Sequence, residues 1–261
     1  MPTSSARTGL PILGAFIDAL TWNGALTQLQ DWGKQRQSRY VCVCNVHSAV
    51  TAKLDPEFRR VVDDADMSTP DGMPLVWVLR WQGFKEQERI NGPDLMWRLC
   101  GQAAEKGLVI FLYGSVPETL GRLTSNLKAA FPLLAIGGTC SPPFRALSEE
   151  EDREITDRIN RSGAHIVFVG LGCPKQEYWM AEHRGKIQAV MIGVGAAFDY
   201  HSGTVRRAPL WLQQSGLEWL YRLLTEPRRL WKRYLVTNSL FLVHLGWEFL
   251  KSGRHRKGKK K

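Results

Sequence analysis

Short apolar runs alternate along the chain with longer segments whose apolar residues recur every three or four positions. YVCVCNV (40–46), LVIFLYG (108–114), LLAIGG (133–138), HIVFVGLG (165–172) and AVMIGVGAAF (189–198) are apolar on both sides of the pleat. Runs of that kind suit strands of a parallel sheet covered on both faces. Segments 74–82, 92–106, 117–130, 148–161 and 175–184 between them read as helices, and Ser148 with Glu151 three positions on forms a capping box for one. The alternation predicts an α/β fold: a Rossmann-like, mainly parallel sheet with helices on both faces and right-handed crossovers. Ligands of such sheets bind outside the carboxyl ends of the strands. The residues just after each strand therefore carry the functional reading.

From about Val205 the pattern changes. WLQQSGLEWLYRLLTEPRRLWKRYLVTNSLFLVHLGWEFLKSG predicts two helices. One begins near Leu210 or Gly216 and ends at Thr225; the other starts around Pro227, a residue suited to a first turn. At about 100° per residue, Arg233, Thr237, His244, Glu248 and Lys251 share one stripe of the second helix, and the rest is apolar or aromatic. A helix of that kind is either buried against a partner or lies in a membrane interface. The expected division is an α/β catalytic body over 1–204 and a helical appendage over 205–261, with a disordered basic tail from about residue 253.

Charge sharpens that division. Residues 1–204 hold 21 Lys and Arg against 22 Asp and Glu, whereas residues 205–261 hold 14 against 3, so the formal +10 belongs entirely to the appendage. Such a segment suits an anionic partner: phosphate, a membrane surface or nucleic acid. Tyr234–Leu250 is the most apolar stretch, but Thr237, Asn238, Ser239, His244 and Glu248 interrupt it, and a spanning helix needs about 20 mostly apolar residues. The first residues show no cleavage signal. The expectation is a cytoplasmic protein whose five cysteines, with no C-x-x-C pair, are free thiols. An apolar fraction of 44% excludes extended disorder.

Several strand ends carry polar groups that a plain core would not place there. Asn45 closes the first strand and either orients a hydroxyl or simply ends the strand. Asp71, in STPDGMP, is the candidate general base if burial raises its pKa, or else an N-cap for the helix from Met73. Arg89, in ERINGPDL, offers a planar fork for a diphosphate, or an ion pair with Glu86 or Glu88; Asn91 or Asp94 can cap the helix that follows. Gly170-Leu-Gly172-Cys-Pro-Lys175-Gln176-Glu177 and Gly193-Val-Gly195-Ala-Ala-Phe198-Asp199 each contain a G-x-G turn. Neither completes a dinucleotide fingerprint, since Lys175 and Phe198 replace its third glycine. Gly172, Gly195, Lys175, Gln176 and Glu177 instead outline a backbone-rich site for a phosphate or sugar hydroxyl. Asp64 and Asp66 form a D-x-D pair, but no strand precedes them, which argues against metal ligation.

Together these segments resemble one family, the WecB/TagA/CpsF glycosyltransferases (glycosyltransferase family 26). The matching stretches are ILGAFIDALTW, CNVHSAV, TPDGMPLVW, RINGPDLM, VFVGLGCPKQEYWM, GVGAAFDYHSG and RRAPLWLQQSGLEWLYRLLTEPRRLWKRY, in the family's order over about residues 11–235. The resemblance implies inverting, metal-independent transfer of an N-acetylmannosamine-type or related hexose. The donor it implies is a nucleotide-sugar, with UDP as the carrier. The acceptor is a lipid-diphosphate-linked glycan on a polyprenyl chain, used in surface polysaccharide assembly. It further implies an enzyme peripheral at the inner face of the cytoplasmic membrane. Asp71 matches the family's base, Asn45 its strand-end Asn, Arg89 its Arg before x-G-x-D, and Gln176 the Gln of P-K-Q-E. The arginine-rich appendage, through Arg222, Arg229 and Arg233, is implied to close on the donor diphosphate and meet the membrane. Val43 stands where family members often carry Thr, so a hydroxyl contact there is lost.

The rival readings are a nucleotide-sugar epimerase or dehydrogenase, which lacks its fingerprint here, and a nucleic-acid-binding module using the basic tail. The glycosyltransferase reading expects no nucleic-acid partner and no cofactor, and the exposed apolar appendage makes a homo-oligomer plausible.

Overall fold

The computed structural model describes residues 7–257. A hairpin opens the chain: β1 (Gly9–Ile12) and β2 (Ala15–Asp18) pair antiparallel across Leu13 and Gly14, both at positive φ. Two such residues make the tight turn that matches strand twist, and Leu13, fully buried, anchors it. Helix α1 (Trp22–Lys34) follows, with Thr21 as its cap.

The main sheet contains β3 (Arg39–Cys44), β4 (Met67–Pro70), β5 (Val109–Gly114), β6 (Ala135–Cys140), β7 (Ile166–Gly170) and β8 (Val190–Gly193). Its order is β4-β3-β8-β7-β5-β6, and every neighbouring pair is parallel. One buried apolar cluster lies on each face, so the sheet is the middle layer of an α/β sandwich, as the two-sided runs predict.

Strand β4 escapes the apolar pattern because Ser68 and Thr69 occupy its centre. Both are fully buried, and their hydroxyls donate to the carbonyls of Val62 (3.2 Å) and Ile90 (3.1 Å). Satisfied in that way, a polar strand tolerates the interior. The apolar run 189–198 also exceeds its strand: β8 stops at Gly193, and the rest turns into helix α9 (Ala197–His201). Strand β6 sits later than 133–138, with a register irregularity beside Phe111 where Gly138 leaves room for its ring.

Helices α2 (Val46–Leu54) and α3 (Pro56–Asp63) join β3 to β4, capped by Asn45 and Asp55. The predicted helices occur as α4 (Met73–Trp81), α5 (Gly92–Lys106), α6 (Pro117–Ala130), α7 (Glu149–Arg161) and α8 (Lys175–His183). Asn91 caps α5, and Ser148 with Glu151 closes the expected capping box on α7.

The appendage comprises α10 (Leu210–Gln214), α11 (Glu218–Thr225) and α12 (Pro227–Lys257). Gly216 at φ +76° separates the first two, so a helix begins at each of the two starts expected, near Leu210 and just after Gly216. Helix α12 packs against α2 and buries Leu230 and Phe241, while Leu235, Val236, Val243 and Trp247 face outward. It also continues to Lys257, into the segment expected as a disordered tail; residues 258–261 of that tail lie outside the described residues. No helix among the described residues is long and apolar enough to cross a membrane.

Candidate active site

Cys44, Pro70, Gly114, Gly170 and Gly193 end five parallel strands at one edge of the sheet. The residues that follow them, Asn45, Asp71, Ser115, Leu171 and Val194, line a single cavity of about 820 Å³. The other wall comes from the appendage, through Glu218, Trp219, Arg222, Arg229, Arg233 and Tyr234. A cleft of this size holds a ligand the size of a nucleotide-sugar.

Asp71 is fixed by its backbone, whose N–H donates to the Cys44 carbonyl at 2.7 Å and so extends the β3–β4 pairing. It is not a cap: Gly72 occupies the N-cap of α4, which has no side-chain cap bond. The carboxylate keeps about a fifth of its surface open to the cavity (21%). Burial pushes its pKa above the ordinary carboxylate value; Arg89 opposes this, Glu218 adds to it and an Asn45 hydrogen bond works against it. A raised carboxyl of this kind suits general-base chemistry. Asn45 ends the strand as the N-cap of α2, its side-chain oxygen accepting from the N–H groups of His47 (2.9 Å) and Ser48 (3.3 Å).

Arg89 pairs with neither Glu86 nor Glu88. Its guanidinium donates to Asp71 Oδ1 at 3.4 Å, Glu218 Oε2 at 2.6 Å and the Gln213 carbonyl at 3.3 Å. The expected diphosphate fork is thus engaged by two carboxylates of the protein, which makes Arg89 a restraint on Asp71. Glu218 also lies 3.6 Å from Arg207, which pairs with Asp94. A charge chain therefore ties the appendage to the base.

Gln176 stitches the two G-x-G turns together. Its Oε1 accepts from Gly172 N–H at 3.2 Å, and a side chain at Gly193 would meet its Nε2 at 2.9 Å. Gly172 (φ +80°) and Gly195 (φ +50°) adopt left-handed conformations, and both line the cavity with Gln176. Two expected residues do not. Lys175 is exposed on α8 away from the cavity lining, because the first turn of the helix aims it outward. Glu177 is buried beneath the turn, accepting from Gln176 Nε2 at 2.9 Å, and burial pushes its pKa up to about 7.

The appendage arginines enter the cavity as expected. Arg222 lies 5.7 Å from the centre of the Tyr200 ring, and Glu226 accepts from Arg229 at 2.5 Å. Buried polar atoms without a protein partner collect along this wall: Tyr200 Oη, Arg222 Nε, Arg233 Nε and His47 Nδ1. Buried donors left open in one cleft suit an oxygen-rich anion. Burial, reinforced by Arg233, lowers the His47 pKa to about 4, so its imidazole is neutral near pH 7.

Glu218, Tyr200 and the α4 tryptophans Trp77 and Trp81 are cavity residues that the sequence motifs do not single out, and His47, next to the strand-end Asn45, lines the cavity with them. Glu218 sits within the G-L-E-W segment, and that position in a distinctive run is the one signal it carried. Asp66 is held by Arg39 and by Arg184 at 2.8 Å, and no cluster of three or more His, Cys, Asp or Glu among the described residues is placed to hold a metal ion. Val43 lines the cavity floor, where it presents methyl groups.

The model of the glycosyl transferase WecG/TagA/CpsF family matches residues 10–255. An N-acetylglucosaminyldiphosphoundecaprenol N-acetyl-beta-D-mannosaminyltransferase of Bacillus spizizenii is 35% identical over 202 residues, covering 77% of this chain and 76% of its own length.

Proposed function

The chain belongs to the WecG/TagA/CpsF family of glycosyl transferases, and from that premise we propose that it moves an N-acetylmannosamine-type sugar from a nucleotide diphosphate to a polyprenyl-diphosphate-linked acceptor. The observation that carries this reading is the convergence of Asp71 and three appendage arginines on one cavity. Asp71 takes the proton of the acceptor hydroxyl as that oxygen attacks the anomeric carbon from the face opposite the nucleotide, which inverts the centre. The departing diphosphate gains charge at the same moment. Arg222, Arg229 and Arg233 stabilise it without a metal, together with the Tyr200 hydroxyl. Arg89 positions Asp71 rather than the phosphates, and Glu218 shares its charge so that the base keeps a raised pKa.

The same appendage presents Leu235, Val236, Val243 and Trp247 outward beside basic residues. That surface supports association with the inner face of the cytoplasmic membrane, where basic residues gain about 1 kcal/mol each near anionic lipid, and it also offers a face for self-association.

The test is Asp71→Asn. Transfer from UDP-N-acetylmannosamine to the lipid-linked acceptor should fall by about 10² to 10⁴, the range of general-base catalysis, while donor binding by calorimetry stays within a few-fold. Wild-type turnover in the variant removes Asp71 as the base.

A further inference from the structure

Helix α12 lines the cavity along one stripe whose chemistry changes from end to end. Arg229 and Arg233 come first, Thr237 and Asn238 next, then Phe241, Leu242 and Leu245. At 1.5 Å per residue the stripe from Arg229 to Leu245 extends about 24 Å. Helix α4 has the same gradient. Its first turn stands beside Asp71, and its later turns put Trp77, Val78 and Trp81 on the cavity wall at helical spacing. Val78 and Phe241 belong to one buried apolar cluster, so the two greasy ends share a base. Above that base Trp77, Trp81 and Leu242 remain 50%, 61% and 69% exposed.

An aqueous sugar-nucleotide has no use for such an extension. Apolar surface held open to water is unfavourable unless something apolar covers it. Its continuity with the charged end identifies the occupant as a molecule that is anionic at one end and hydrocarbon at the other.

We propose that the apolar end of the cavity, between the C-terminal turns of α4 and the Phe241–Leu245 segment of α12, is a subsite for the first isoprene units of the acceptor lipid. The site deepens the function proposed above and rests on it. The lipid enters along the groove, its diphosphate passes the Thr237–Asn238 region, and its sugar hydroxyl reaches Asp71. The enzyme thereby measures chain as well as sugar, and it draws the lipid head out of the bilayer plane into the cleft.

The experiment uses two acceptors free in vesicle-free, detergent-free solution: N-acetylglucosamine diphosphate bearing an ethyl group or a farnesyl group. The farnesyl acceptor should show a kcat/KM about tenfold higher or more, the effect of burying two or three methylene groups. The variants Leu242→Gln and Trp81→Gln should bring the two acceptors' kcat/KM close together by lowering the farnesyl value several-fold more than the ethyl value. Equal kcat/KM for both acceptors with the wild-type protein overturns the subsite, and it is also the result expected if these side chains only face a membrane. Tryptophan fluorescence on adding either acceptor gives a second readout. If neither is a substrate, tighter binding of the farnesyl compound that weakens in Leu242→Gln retains the groove and rejects the transfer reading; equal binding rejects the groove itself.

Discussion

The two walls of the cavity are built on different physical terms. The floor is made of strand ends: Asn45, Asp71, Val194 and Gly195 follow buried parallel strands and take their positions from backbone pairing. The roof is made of α11 and α12, whose contributions are long side chains on helices with one face on the body and the other exposed. Position on the floor is set to a fraction of an ångström by the sheet, whereas position on the roof depends on a docked amphipathic surface. In the proposed mechanism the base belongs on the first wall because proton transfer tolerates little misplacement. The counter-charges of that mechanism come from the second wall, where Arg222, Arg229 and Arg233 line the cavity.

The severest way to break that contrast is to remove the roof. A chain ending at residue 204 should keep the α/β circular dichroism signature but lose transfer by at least about 10³, since both charge stabilisation and the cleft disappear. Normal turnover without the appendage would reduce the roof to an ornament. Individual arginines come next. Arg222→Ala should lower kcat by about 10²–10³ with a smaller change in donor affinity, whereas Arg229→Ala, at a position 59% exposed, should cost less. Equal losses at the two would show that burial does not grade their contributions.

A third test concerns the floor alone. Burial raises the Glu177 pKa to about 7 from an ordinary value near 4.5, so the folded state favours its protonated form. That stabilisation is complete below the ordinary value and is lost as pH rises through 7. Glu177→Gln, which cannot ionise, should therefore match the wild type near pH 4 and exceed it by roughly 3 kcal/mol at pH 8, read from denaturant unfolding at both pH values. A constant difference would mean that Glu177 does not titrate with folding.

The smallest effect joins the walls. Because Glu218 helps to raise the Asp71 pKa, Glu218→Gln should move the acid limb of the kcat/KM profile to lower pH. An unmoved limb would show that the roof does not tune the base.

Much of the floor was legible in the chain. The runs ending in Asn45, Gly170 and Gly193 are strands because they are apolar on both sides, and the parallel-sheet rule then directs attention to the residues after them. Strand β4 was not legible: Ser68 and Thr69 are buried only because the Val62 and Ile90 carbonyls are there to receive them. Lys175 and Glu177 flank Gln176 in one motif, yet only Gln176 reaches the cleft, since helix geometry sends neighbours in different directions. Tyr200 carries no local pattern that marks it as a cavity residue, and His47 has only its place beside the strand-end Asn45.

Alternating hydrophobic periods therefore determined the layered architecture, and charge placement determined that the basic excess lies in the last fifth of the chain, because both properties are local and additive along the sequence. Tertiary structure alone decided which surfaces face each other. Arg89 and Glu218 meet at 2.6 Å across 129 positions, and the polar-to-apolar gradient of α12 has meaning only once α4 stands beside it. Contacts of that range depend on how two elements pack, and no periodicity within either element records its partner.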